Sequence, residues 1–301
     1  MPWLMVVLAG HLSNAGAFVI DKILLQKTLR HPTVYVFYIG VLGILAFALL
    51  PFGKFSVPSA HVIVQSAVSG VTFMAALLCF FTALQRGETT RVVPLFGALI
   101  PIWTLIFASI FLGEWLWGSE WYGIILLIVG AFLISYEPSF APTAITKSLA
   151  LLIVAAAGLF ALSSTMLKAV FIGTDFINGF LWTRSFAFLS VLPLAFYSPV
   201  RSSIFHSAGA SQPAERPNVL FFIGQALGSL GFLLLAWGTK LAPRVAIVNA
   251  LQGVQYAFLF LLILMISSFA PRLIKESLSP SVIVQKTIAI LILAAGLVLV
   301  A

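Results

Sequence analysis

The sequence predicts an all-α polytopic membrane protein with ten transmembrane helices, and three observations support this prediction. Hydrophobic residues occupy 61% of the 301 positions and charged residues only 8%, which is far from the balance of a water-soluble domain. Ten largely uncharged windows each approach the roughly 20 residues that a helix needs to cross a hydrocarbon core about 30 Å thick. Proline-rich breaks separate the windows and are too short to contain a soluble domain.

The ten predicted spans follow one another in regular order. The first window has neither a basic leader region nor a cleavage site, so we expect a membrane helix there and not a signal peptide. Only the segment from Pro199 to Pro217 is long and polar enough to form a substantial loop. The predicted spans are 3–25, 33–52, 60–85, 90–112, 117–136, 146–170, 178–198, 217–239, 242–269 and 281–300.

The net charge of +8 indicates membrane topology and lipid contact, and we expect no nucleic-acid partner. The basic residues lie mainly at span ends and in short loops, with eleven of the sixteen on the side opposite to both termini. By the positive-inside rule, this distribution places the termini outside. The lone Cys79 excludes an intramolecular disulfide and offers no cysteine cluster, and we expect neither a metal nor a cofactor.

The two halves of the chain echo each other. Lys22 matches Lys168 at an offset of 146 positions, and Arg91 matches Arg244 at an offset of 153. Five spans per half is an odd number, so the two halves would lie inverted in the membrane, with a site near its midplane. We therefore predict two five-helix repeats, which comprise residues 1–145 and 146–301.

A motif that joins the third and fourth spans is the most specific local pattern. It begins with Ala83-Leu84 at the end of the third span and a polar turn through Arg91. Pro94 and Pro101 follow in the fourth span, Gly113-Glu114 at its end, and Gly123 and Gly130 in the fifth span. With this motif the chain resembles the ten-helix, EamA-like group of the drug/metabolite transporter superfamily. The second half is a poorer copy, with Val254 where Pro101 would align.

This resemblance implies a secondary carrier or exporter of amino acids, other small metabolites or amphipathic drugs. It also implies a multi-pass protein of the bacterial inner membrane. The termini of similar proteins are expected in the cytoplasm, which is opposite to the orientation that the count of basic residues predicts.

Polar side chains within the spans are candidate ligands for a solute, because a polar group in hydrocarbon must face a partner or a water-filled cavity. Asn249, Gln252 and Gln255 stand three residues apart in the ninth span, and His11 and Asn14 share one face of the first. His11 is also a candidate proton relay. The alternative is that these groups only hydrogen-bond neighbouring helices together.

Three further residues complete the candidate substrate site. Thr72 belongs to a polar face of the third span, and Trp103 in the fourth is suited to lining an apolar pocket. Arg184 in the seventh span is suited to holding a carboxylate or phosphate by paired hydrogen bonds. The alternatives are helix packing for Thr72 and Trp103, and for Arg184 an extension of its side chain to the membrane interface.

All eight acidic residues fall at predicted helix ends or in loops, which argues against a proton antiporter that depends on a buried glutamate. We therefore predict an exporter or exchanger of a small metabolite, such as an amino acid or related polar or amphipathic solute, that works by alternating access. The expected partners are this solute and the lipid bilayer, and the sequence is compatible with a monomer or a homodimer. An intramembrane enzyme or a scaffold is the alternative, although no set of catalytic residues is recognisable in the spans.

Overall fold

The computed structural model is a bundle of membrane-length helices. It describes residues 2–24, 31–87, 89–136, 145–205, 219–269 and 280–300. Two 3-10 segments, Gly43–Phe52 and Leu192–Phe196, continue α2 and α7 respectively. The α-helices are α1 (Pro2–Leu24), α2 (Pro32–Leu42), α3 (Ala60–Arg86), α4 (Thr89–Leu112), α5 (Ser119–Ser135), α6 (Lys147–Gly173), α7 (Phe176–Val191), α8 (Ser198–Phe205), α9 (Val219–Leu241), α10 (Val245–Ala250), α11 (Gln252–Phe269) and α12 (Pro280–Val300).

Each of the ten predicted spans has a helical counterpart whose ends agree within a few residues. Eight of the described helical segments are long and apolar enough to cross a membrane, which supports a multi-pass membrane protein. The other two, Ser119–Ser135 and Ala226–Leu241, are shorter apolar segments, so ten crossings stay a prediction. The expected loop from Pro199 begins instead with α8, and its remainder from 206 onwards lies outside the described residues.

Local interruptions divide several helices. Pro94 and Pro101 lie inside α4, where each removes one backbone donor from the helical ladder. Gly113 and Gly118 bracket the turn between α4 and α5 and both have positive φ angles, of 64° and 52°. Glycine adopts this left-handed conformation without a steric penalty from a Cβ atom. A single turn residue, Leu251, separates α10 from α11, and its backbone stays right-handed with φ −69° and ψ −4°, so the predicted ninth span is one helix with a local break.

The main helix pairs follow a pattern that two related halves would produce. Helix α3 packs extensively against α6, and α1 packs in the same way against α9. Helices α3 and α6 are the third and sixth spans, and α1 and α9 are the first and eighth. In the predicted repeat the third span corresponds to the eighth and the sixth to the first, so exchanging the two halves converts one pair into the other. The fifth and tenth spans, α5 and α12, pack against each other. The repeat and its inversion remain predictions that this pattern supports.

Small residues allow the closest of these contacts. A Cβ atom at Gly70 of α3 would lie 2.6 Å from the carbonyl oxygen of Thr183 and from the backbone nitrogen of Ala187 on α7. Where α3 meets α6, the hydroxyls of Ser69 and Ser163 each donate to the other residue's carbonyl oxygen at 2.9 Å. Such close backbone contact is how membrane helices associate without a hydrophobic driving force.

Charged residues tie together the end of the bundle where α1 begins and α12 ends. Arg244 pairs with Glu120, and its Nε donates to the carbonyl oxygen of Trp115 at 2.6 Å. The Nζ of Lys168 donates to the carbonyl oxygens of Thr239 and Lys240 at 2.9 and 3.1 Å, where α9 ends. A cation at a helix C-terminus is stabilising because the free carbonyls there are partly negative. We call Glu114, Glu120, Lys168 and Arg244 the termini-side closure.

Glu114 completes this closure by capping a helix. Its Oε2 accepts a hydrogen bond from the backbone N–H of Val245, the first residue of α10, at 2.9 Å. Burial raises the pKa of the half-buried Glu114 carboxyl, and the Val245 N–H and the charges of Lys168 and Arg244 act in the opposite direction. The Gly-Glu pair of the sequence motif therefore connects the two halves of the chain.

Candidate functional site

A group of polar side chains meets halfway along the bundle. Four of these side chains lie eight to ten residues from that end of their span which is at the termini-side closure. They are His11 on α1, Thr104 on α4, Ser164 on α6 and Gln255 on α11. At 1.5 Å per residue this depth is about 12–15 Å, which is close to the middle of a hydrocarbon core about 30 Å thick. We define the central polar cluster as His11, Thr104, Ser164, Asn249, Gln252, Gln255 and Tyr256.

Asn249 joins three helices. Its Nδ2 donates to the hydroxyl oxygens of Thr104 at 2.8 Å and Ser164 at 2.7 Å. These hydroxyls donate in turn to carbonyl oxygens of their own helices, at Ile100 and Ala161. Both amide hydrogens of Asn249 are therefore satisfied by protein groups, and this side chain fixes α10 between α4 and α6.

His11 and Gln255 form a second polar contact, between α1 and α11. The Nδ1 of His11 lies 3.1 Å from the Oε1 of Gln255, and their side chains are 3% and 4% exposed. Because an amide oxygen only accepts, Nδ1 carries the hydrogen and, in the neutral ring, Nε2 is an acceptor. This Nε2 is buried and has no hydrogen-bond partner of ordinary geometry among the described residues, although the ring also approaches the backbone of Val248. A solute that offers a donor would satisfy it.

Gln252 and Tyr256 lie just beyond the helix break at Leu251. The Nε2 of Gln252 is 3.4 Å from the hydroxyl oxygen of Tyr256, so the amide is weakly held. The Tyr256 hydroxyl faces Gly97 of α4, where a Cβ atom would lie 3.2 Å from it. Pro101 cannot donate to the carbonyl of Gly97, because proline has no N–H. Two irregular helices therefore face each other at this level.

The structure places Asn14, Thr72 and Trp103 on three different helices, α1, α3 and α4. Asn14 packs against Gly231 of α9 so closely that a Cβ atom at that glycine would overlap its Oδ1. Thr72 donates to the carbonyl oxygen of Val68 in its own helix at 2.6 Å. Trp103 stacks on Phe107, with ring centres 5.6 Å apart, and packs beside α6. The contacts of Trp103 agree with helix packing, and none of these contacts tests a role in binding.

Arg184 is enclosed by aromatic rings. Its side chain is 8% exposed, and its Cζ lies 4.1 Å from the ring centre of Phe232, 5.0 Å from that of Phe73 and 5.5 Å from that of Phe180. The helix begins at Phe176, two residues earlier than predicted, so Arg184 lies deeper than the sequence suggested. Its side chain does not extend to the interface. We call these four residues the Arg184 cage.

Comparisons with known proteins agree with the resemblance. The family profile described as the EamA-like transporter family matches residues 1–136. The first half of the chain is therefore similar to this family. A curated relative, the uncharacterized transporter in cobO 3'region of Sinorhizobium sp, is 38% identical over 69 residues, which are 23% of this chain and 48% of that protein. The chain therefore matches about half the length of that relative.

The chain also resembles a solved crystal structure over nearly its whole length. That structure aligns with 99% of this chain and 96% of its own, with a TM-score of 0.68 and 14% sequence identity. At this identity the likeness shows the fold alone. The fold of the second half, which the family profile leaves unmatched, therefore has independent support.

Several contacts of the candidate site were not predicted. Thr104 and Ser164 carry no distinctive signal, because isolated hydroxyls in membrane helices commonly bond to their own backbone. The sequence did single out Lys168, because it matches Lys22 at an offset of 146 positions. Its contact with the end of α9 was not predicted, because this contact depends on the three-dimensional packing. The side chain of Lys22 lies outside the described residues.

A cavity of about 490 Å³ lies elsewhere on the bundle. It is open at the surface between α5 and α12, and it is lined by Leu133, Ser281, Val284, Gln285 and Ile288. The Nε2 of Gln285 donates to the carbonyl oxygens of Leu133 and Tyr136, so the one amide of this lining is already bonded. In the part of the chain that the structure describes, no group of three or more His, Cys, Asp or Glu side chains is suited to hold a metal.

Proposed function

We propose that this protein is a secondary carrier that moves a small polar or amphipathic solute, such as an amino acid or related metabolite, across the membrane. The family of the first half and the name of the curated relative support transport in general. The same comparisons point away from an enzyme. The proposed solute site is the central polar cluster, with Asn14 at its edge.

The observation that carries this proposal is the meeting of two interrupted helices at mid-depth. Carriers commonly bind their substrates near the midplane, where discontinuous helices leave backbone groups and side chains free for a ligand. Here α4, with its inner prolines, faces the break between α10 and α11. Gln252 and the free Nε2 of His11 are the groups that we assign to direct solute contact.

The proposed transport cycle is alternating access. The termini-side closure joins the first half, through Glu114 and Glu120, to the second half, through Lys168 and Arg244. Opening on this side requires these contacts to separate, while the opposite ends of the two halves approach each other. The proposed movement is a rocking of one half against the other, which is typical of carriers built from inverted repeats.

Counterflow in proteoliposomes tests the proposal. Vesicles containing purified protein are loaded in turn with amino acids, organic anions, phosphorylated metabolites and cationic drugs, and uptake of the matching labelled solute is followed. Saturable uptake of one class, absent from protein-free vesicles, is the expected result. No exchange with any class, in protein shown to be folded and inserted, would favour an intramembrane enzyme or a scaffold.

A further inference from the structure

The Arg184 cage holds a buried charge that the protein only partly compensates. Arg184 lies eight residues after Phe176, which is about 12 Å along α7 at 1.5 Å per residue. Aromatic faces attract a guanidinium, but they accept none of its five N–H hydrogens as a carboxylate would. The Nε of Arg184 is buried without a hydrogen-bond partner among the described residues.

The carboxylates whose side chains the structure describes have other partners. Glu120 pairs with Arg244, Glu114 caps α10, and Asp175 accepts a hydrogen bond from the backbone N–H of Asn178 at 2.9 Å. All three lie at helix ends, whereas Arg184 lies at mid-depth. Because a buried charge without a counter-ion is costly, this arginine is suited to a negative group that a solute supplies.

We infer that the Arg184 cage binds the carboxylate of an organic solute that has a single carboxylate group. The inference rests on the proposed carrier function and names the chemical class of its substrate. A carboxylate matches the planar fork of a guanidinium and neutralises one positive charge. A doubly charged phosphate would leave surplus negative charge beside this single arginine, and a cation would be repelled by it.

The surroundings of the cage indicate that the solute also has an apolar body. The ring of Phe73 lies 5.6 Å from that of Phe232 and 6.1 Å from that of Phe160 on α6. Phe160 lies one helical turn before Ser164, which belongs to the central polar cluster. A row of aromatic rings therefore lies between the arginine and the polar groups, and an apolar body bound beside the arginine would pack against these rings.

Direct binding to purified protein in detergent tests this inference without requiring transport. The probes share one carbon skeleton and differ in charge: hexanoate, norleucine, hexylamine and hexyl phosphate. Titration calorimetry and the unfolding temperature measure binding to the wild type, Arg184→Gln, Arg184→Lys and Arg86→Gln. Arg86 is the matched control, because it is an exposed arginine at the end of α3.

We expect the wild type and Arg86→Gln to bind hexanoate or norleucine in preference to hexylamine and hexyl phosphate. Arg184→Gln should weaken carboxylate binding roughly ten-fold or more, since it removes a charge-assisted hydrogen bond. Arg184→Lys should retain part of the binding, because it keeps the charge without the planar fork. Hexanoate bound more tightly than norleucine would indicate a simple organic acid, and the reverse an amino acid.

Several results would overturn the inference. These are equal binding of hexylamine and the carboxylates to the wild type, tighter binding of hexyl phosphate, no carboxylate binding, and carboxylate binding that Arg184→Gln leaves unchanged. The comparison of probes on the wild type remains decisive if Arg184→Gln fails to fold. Carboxylate binding without counterflow would contradict the carrier function alone, whereas counterflow of amines in preference to carboxylates would contradict this inference alone.

Discussion

At the scale of single residues, the polar groups of the spans divide into those that hold helices together and those that remain available. Asn249 belongs to the first kind, because both of its amide hydrogens bond to hydroxyls of other helices. Gln252 and the Nε2 of His11 belong to the second. The sequence predicted these residues as candidates, since polarity in an apolar span is visible there. It did not predict this division, because the contact of His11 with Gln255 joins residues 244 positions apart.

The contact between His11 and Gln255 has a testable effect on stability. Gln255→Leu should lower the free energy of unfolding by about 0.6–2 kcal/mol, because it leaves the Nδ1 of His11 buried without its partner. The double variant His11→Phe with Gln255→Leu should recover part of this loss, since it removes the unpaired group as well. Unfolding in detergent micelles measures both effects. Equal stability of Gln255→Leu and the wild type would show that the two side chains do not interact.

At the scale of helices, the apolar windows predicted each element closely because membrane thickness sets their length. The break at Leu251 was not predicted, since no proline marks it and the residues on both sides are apolar or amide. The termini-side closure was also missed, although the sequence motif contains Glu114. Which helix end a charged side chain caps is decided by packing between distant parts of the chain.

The crossing of α3 and α7 depends on Gly70. Gly70→Ala should destabilise the protein by roughly 1–3 kcal/mol, because its methyl group would meet backbone atoms of α7 that cannot move independently. Gly228→Ala is the matched control, since a Cβ atom there would have its nearest neighbour, the Cβ of Ala17, at an ordinary 3.7 Å. Unfolding temperatures of the two variants measure the difference. Equal effects would contradict the close contact at Gly70.

The closure also predicts a dependence of stability on pH. The pKa of the Glu114 carboxyl is raised in the folded protein, so the folded state favours its protonated form. The stability gained from this group is fully present below the ordinary pKa of 4.5 and is lost as pH rises through the raised pKa. Glu114→Gln keeps an oxygen for the Val245 N–H and removes the titration. The stability of Glu114→Gln relative to the wild type should therefore increase as pH rises from 4.5. A constant difference across this range would contradict the raised pKa.

At the scale of the whole molecule, the fold was more predictable than the site. Composition and span length were enough to predict a multi-pass helical bundle, and the motif from Ala83 to Gly130 was enough to predict a resemblance to the family whose profile matches residues 1–136. The identity of the solute depends on a few side chains whose neighbours are set by the packing of six or more helices. The sequence contains these side chains but not the distances between them.

The central claim is that a carrier's solute site lies at the break between α10 and α11, and Gln252→Ala tests it most directly. Gln252 makes one weak side-chain hydrogen bond among the described residues, so its loss should leave the folded yield close to that of the wild type. Gln85→Ala, at the exposed end of α3, is the matched control. We expect the KM for counterflow to rise several-fold in Gln252→Ala alone. An unchanged KM and maximal rate in folded Gln252→Ala would contradict this location of the site.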